Sequence, residues 1–161
     1  MNKRLFLSVC ITPFFVACSS LSRKFSSTSS SYPNNPAKRQ DIVMQAIAML
    51  DRGYTYGGKK LHTGFDCSGL VSFVYKESAG IALKGSAAQM ANATRPIEES
   101  QAHPGDLVFF NTLGSAFSHV GIYVGSEKFI HAANEKTGVK SERLDNAYWS
   151  KRFEGYRTVF A

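Results

Sequence analysis

The sequence predicts an α+β domain, with helices first and a mostly antiparallel five-stranded sheet after them. Three observations carry that prediction. CSGLVSFVYKESA, residues 67–79, is apolar-rich, of helical length, and bounded by Asp66 and Gly80, residue types that favour a helix start and a helix end. KRQDIVMQAIAMLD, residues 38–51, places apolar residues at helical spacing ahead of Gly53. Beyond residue 105 the pattern turns to period two or short apolar runs, in DLVFFN (106–111), HVGIYVG (119–125), KFIHAAN (128–134), VKSERL (139–144) and GYRTVF (155–160).

The chain has 161 residues, 43% hydrophobic and 12% aromatic, which suits one domain with a real core. Its formal charge of +7 is scattered, with no arginine-rich or zinc-knuckle module, so a nucleic-acid partner is not indicated. Met1–Arg4 is a positive n-region, and Leu5–Ala17 is an apolar stretch too short to span a bilayer as a helix. The pair Ala17-Cys18 resembles the cleavage site of a bacterial lipoprotein signal, with Phe15 where leucine is usual. Residues 1–17 are therefore read as a signal peptide and Cys18 as a lipidated first residue of the mature chain. In the Gram-negative lipoproteins that this signal resembles, a residue other than aspartate after that cysteine, here Ser19, implies sorting to the outer membrane, on the periplasmic side. Residues 18–36 are Ser- and Pro-rich without hydrophobic periodicity and read as a tether, so the folded domain is expected over 37–161.

Taken in order, the domain opens on the 38–51 helix, and a glycine-rich loop, YTYGGKKLHTG (54–64), delivers the chain to Asp66. The apolar helix that follows is expected to be the buried central one. A short helix is expected around 86–94, and a loop holding Pro96 and Pro104 leads into the strands.

Three cysteines are present. Cys10 leaves with the signal and Cys18 takes lipid, so Cys67 is the only thiol left in the exported domain and no disulfide is expected within it. In the first turn of a helix Cys67 sits at the positive end of the dipole, which favours a thiolate and a pKa below the free value of about 8.5. A cysteine nucleophile needs a base, and the base needs a group that fixes its tautomer. Of the four histidines, His62 and His103 lie in loops and read as surface residues. His119 and His131 fall in consecutive strands, and a three-residue loop at 125–127 would put both on one face, with Gly121 leaving an open gap between them. A two-residue loop would separate them. On this reading Cys67 is the nucleophile, His119 the general base and later acid, and His131 the orienting third member. The Cys67 backbone N–H and a tyrosine hydroxyl from the preceding loop would stabilise the oxyanion.

GYTYGG (53–58), GFDCSGLV (64–71), PGDLVFF (104–110), HVGIYVG (119–125) and FIHAAN (129–134) follow one another in the order and spacing of the NlpC/P60 cysteine peptidases, which the chain resembles over about 120 residues. The resemblance implies a papain-like α+β fold and hydrolysis of amide bonds in peptidoglycan. The bond is either γ-D-glutamyl to diaminopimelate within a stem or D-alanyl to diaminopimelate between stems. It places the family's nucleophile on Cys67, its base on His119 and its third polar residue on His131. It also assigns Tyr54 to the oxyanion and Asp66 and Ser68 to the substrate's amine end, beside the N-cap role Asp66 already has. Tyr56 and Asp106 read as structural. Leu83-Lys84-Gly85 replaces the family's usual Leu-Pro-Arg and removes its arginine. No cofactor is implied; the expected partners are peptidoglycan and a membrane reached through the lipid anchor, with the protein a monomer. A catalytically silent wall-binding scaffold, a zinc site built from the same three residues, and an amidase or acyltransferase of the same fold are the alternatives.

Overall fold

The structure, a computed structural model, describes residues 31–161. The expected signal peptide, Cys18 and most of the tether lie outside the described residues.

Helix α1 (Pro36–Ala48) starts two residues earlier than expected because Asn35 caps it, its side-chain oxygen accepting from the N–H groups of Ala37 and Lys38, with Pro36 in the first turn. It also ends earlier. Asp51 turns to φ 64° so that the backbone of 51–52 can pair with Val139, with N···O distances of 3.0 and 2.8 Å. Contacts with the folded body begin ahead of α1: the Tyr32 N–H donates to the Val159 carbonyl, and the Ala161 N–H to the Tyr32 carbonyl.

A two-stranded ribbon of β1 (Lys59–Lys60) and β2 (Gly64–Phe65) leads into α2 (Cys67–Ala79). Gly80 closes α2 in the left-handed conformation, φ 68°, its N–H returning to the Lys76 carbonyl. Leu70, Val71, Val74 and Tyr75 on α2 are fully buried, as a central helix requires, whereas Phe73 is only partly covered. Helix α3 (Ala87–Ala93) carries a reciprocal cap between Ser86 and Gln89.

The sheet has six strands rather than five, in the order β3 (Arg95–Ile97), β8 (Phe153–Thr158), β4 (Leu107–Phe110), β5 (His119–Gly125), β6 (Lys128–Asn134), β7 (Gly138–Arg143), with every neighbouring pair antiparallel. The extra strand is β3. Pro96 argues for a loop, but β3 lies at the sheet edge, where a residue without an N–H is tolerated. A one-turn helix, α4 (Ala147–Ser150), was also not expected; Asn146 caps it.

Both faces of the sheet are covered. On one, Leu107, Phe109, Val120, Ile122, Ile130 and Val139 pack against α1, α2 and α3. On the other, Val108, Phe110, Phe129 and Tyr156 meet Leu144 and Trp149. Asp106 is structural, as expected: it is fully buried, paired with Arg39 at 2.8 Å, and accepts from Thr158 and the His103 N–H.

Candidate active site

The loop before α2 is threaded against its own end. The Phe65 N–H donates to the Gly53 carbonyl, the Thr55 N–H to Phe65, and the Asp66 N–H to Gly58, all at 3.0–3.2 Å. A side chain at Gly58 would lie 2.8 Å from the Thr55 carbonyl oxygen, so the close approach requires glycine. This threading fixes Tyr54 alongside Phe65, two residues from Cys67. Burial, and then the charges of Cys67 and Asp66, raise the Tyr54 phenol, which keeps its proton available to donate.

Asp66 caps α2 by accepting from the Gly69 N–H at 2.6 Å and also accepts from the Ser68 hydroxyl at 3.0 Å. The cap role of Asp66 is thus filled by the protein itself, and Ser68 is buried with its hydroxyl already engaged. Cys67 is a free, partly buried thiol at the first position of α2. Burial raises its pKa, with the Asp66 charge adding to the effect, while the N–H groups of Val120, Ser68 and Cys67 itself oppose them. The expectation of a lowered pKa is therefore reversed: desolvation outweighs the helix start. The Val120 contact sets the sulfur beside the residue that follows His119.

The two histidines share a face, by a different route from the one expected. The turn has two residues, Ser126 and Glu127, both in the left-handed region at φ 51° and 57°, and Gly125 pairs with Lys128. Alone it would put the histidines on opposite faces. A bulge at Val124 adds the missing residue, so Tyr123 pairs with Phe129 and Ile122 with Ile130, a register that sets Gly121 opposite His131. The space over Gly121 is not an open gap, because a side chain there would lie 2.6 Å from the Phe129 ring.

His119 Nε2 and His131 Nδ1 are 2.8 Å apart, with the rings nearly perpendicular at 83°. With that nitrogen committed, Nδ1 of His119 is the one left to take a proton from sulfur, which requires Nε2–H to donate to His131 and His131 to carry its own proton on Nε2. No hydrogen bond joins the Cys67 sulfur to either imidazole among the described residues. Burial lowers the His119 pKa to about 4, against a smaller opposing effect of Asp66. Burial, His119 and Lys140 hold His131 well below the usual histidine range. Near neutral pH the site therefore rests as a neutral thiol and two neutral imidazoles, suited to proton transfer during attack rather than to a preformed ion pair.

Sequence reasoning missed Trp149, which lies flat against His119 with ring centroids 5.5 Å apart and meets His131 edge-on at 4.8 Å. Its only signal was that it is the chain's single tryptophan. His62 and His103 are exposed, as expected. Tyr56 is 88% exposed and does not pack into the fold as a structural residue would. Leu83 is buried and its carbonyl accepts from Ser72, while Lys84 is exposed.

Together these features define an α+β domain with a cysteine at the head of its central helix and a histidine pair on the adjoining antiparallel sheet. The chain belongs to the NlpC/P60 family, which it matches over residues 51–158. It is 45% identical over 119 residues to the probable endopeptidase p60 of Listeria innocua, a match covering 73% of this chain and 24% of that protein. It is 39% identical over 126 residues to the murein DD-endopeptidase MepH of Escherichia coli, covering 76% and 46%. A solved structure of a lipoprotein-like NLP/P60 family protein from Staphylococcus aureus superposes with a TM-score of 0.70 at 33% identity, over 82% of this chain and 44% of that one. The chain thus spans less than half the length of either curated relative.

Proposed function

We propose that this protein is a cysteine peptidase of the cell wall, hydrolysing amide bonds in peptidoglycan stem peptides or their cross-links. The observation that carries the reading is the 2.8 Å bond between His119 and His131 on the sheet beside Cys67, within an NlpC/P60 domain whose relatives include named endopeptidases. In this mechanism the Cys67 sulfur attacks the scissile carbonyl carbon as its proton passes to Nδ1 of His119, and His131 accepts from Nε2–H of the imidazolium that forms. The oxyanion is met by the Cys67 backbone N–H and the Tyr54 hydroxyl. His119 then gives its proton to the departing amine as the C–N bond breaks, leaving a thioester. Water, deprotonated by His119, attacks the thioester and releases the acid and the thiol. No cofactor enters the scheme. Asp66, half-exposed beside the nucleophile, offers its remaining carboxylate oxygen to the substrate's amine, with Ser68 orienting that carboxylate.

The same reading includes a lipid on Cys18 that holds the monomeric domain at the periplasmic face of the outer membrane, with the residues between Cys18 and Tyr32 spanning toward the wall. The sequence Ala17-Cys18-Ser19 after an apolar run supports it.

The test is mass spectrometry of purified cross-linked dimers and uncrosslinked stems after incubation with the full chain and with Cys67→Ser. Monomers released from dimers identify a cross-link endopeptidase, and shortened dipeptide stems a γ-D-glutamyl hydrolase. No Cys67-dependent product from either substrate would overturn the hydrolase reading in favour of a silent scaffold.

A further inference from the structure

His131 is fully buried and its Nε2 has no hydrogen-bond partner among the described residues. The tautomer that serves His119 puts a proton on that same nitrogen, so the buried orphan is an N–H donor, a costly group to leave unmatched. An open cleft of about 300 Å³ has His131, Lys140, Glu142 and Tyr148 among its lining residues. Glu142 is the one carboxylate that lines it among the described residues. On β7, Lys140 pairs directly across from His131 and Glu142 across from Phe129, so strand parity sets both side chains on the face that His131 occupies. Glu142 is thus the diagonal neighbour of His131, at a backbone separation of about 7 to 8 Å. Its Oε1 is paired with Lys140, and Oε2 has no partner among the described residues.

We propose that Glu142 is a positioning residue for the histidine pair: a small outward shift of the cleft wall lets its second carboxylate oxygen accept, through one water, the hydrogen bond that His131 donates from Nε2. Held in that tautomer, His131 keeps the Nδ1 lone pair turned to His119. Lys140 anchors the carboxylate and offsets its charge. The charged and titratable groups around His131 are then His119 from β5, Lys140 and Glu142 from β7, and Tyr148 from α4. Although the residue's role rests on the cysteine peptidase reading, two of its readouts need no peptidoglycan.

Glu142→Leu, Glu142→Gln and Lys140→Met are made in the full chain. Histidine ¹⁵N NMR near neutral pH reports the tautomer, alkylation of Cys67 by iodoacetamide reports thiol activation, and stem-peptide turnover gives kcat and KM. The expected result is an Nε2–H tautomer at His131 in the wild type that becomes mixed in Glu142→Leu. Alkylation and kcat should fall about tenfold at unchanged KM, with partial recovery in Glu142→Gln, which keeps an oxygen acceptor. Lys140→Met, which removes a cation facing His131, should raise the pH at which that ring titrates. Wild-type tautomer and alkylation in Glu142→Leu, or Leu and Gln variants that behave alike, would overturn the assignment. Normal tautomer and alkylation changes without turnover of any stem peptide would instead sink the substrate reading and leave the role of Glu142 standing.

Discussion

Trp149 stacks on His119 with ring centroids 5.5 Å apart and planes 28° from parallel, on the sheet face opposite α2. The indole also meets Phe110, Phe129 and His131, so one side chain from a one-turn helix limits how the base can tilt. Trp149→Ala should cost about 3 to 5 kcal/mol of stability, the usual range for emptying so large a buried site. Trp149→Phe should cost less and keep a ring against His119. The informative comparison is kcat at a temperature where both variants are folded. The Phe variant should turn over faster than the Ala variant at similar KM, and equal rates would remove Trp149 from the positioning of His119.

Cys67→Ser, His119→Ala and His131→Ala should rank differently in turnover while keeping near-wild-type circular dichroism. The first two remove the nucleophile and the proton acceptor and should reduce kcat by at least about 10³-fold. His131→Ala removes only the acceptor behind the base and should retain measurable activity, with His131→Asn recovering part of the loss. Complete and equal loss in both histidine variants would contradict this division of roles.

Gly121→Ala tests the bulged register. The added methyl would sit 2.6 Å from the Phe129 ring and 3.4 Å from Cβ of His131, so the ring, which packs 4.9 Å from the His131 ring, must shift. Overpacking of this kind costs about 1 to 3 kcal/mol. A variant with unchanged melting temperature and unchanged kcat would show that the face beneath the histidines tolerates displacement.

These residues also show where the sequence was legible. The helix limits of α2 follow from Asp66 and Gly80, whose local chemistry permits little else, and the apolar runs of β4 to β8 had to be strands once the helices were set. Bringing the histidines together was legible only as a parity condition. Which loop met that condition was not, because a bulge at Val124 costs one residue and leaves no mark in composition. Trp149 was invisible for a related reason: a four-residue helix has no periodicity, and its value lies in the contacts of one side chain. Cys67 failed the other way. The helix start was read correctly, but the degree of burial, which decides the sign of the shift, is a property of packing.

The pH dependence of stability follows from the buried histidines. His119 titrates at about 4 in the folded protein against an ordinary value of 6.5. Between those two values the unfolded chain binds a proton that the folded chain does not, so unfolding takes up protons and stability rises with pH across that window. The contribution is fully present above about 6.5 and is lost as the pH falls toward 4; for His119 alone it amounts to about 3 kcal/mol. His131, also lowered by burial, acts in the same direction. Urea unfolding at pH 7.5, 5.5 and 4.5 should therefore show a falling midpoint, and His119→Gln should flatten that fall because its side chain has no proton to gain. Activity should follow the same group: kcat/KM should hold down to an acid limb near pH 4, where the base becomes an imidazolium with no room for the thiol proton. An acid limb near 6.5, or a His119→Gln variant with the same pH slope of stability as the wild type, would mean that His119 is solvated in the working protein and that burial does not set its charge.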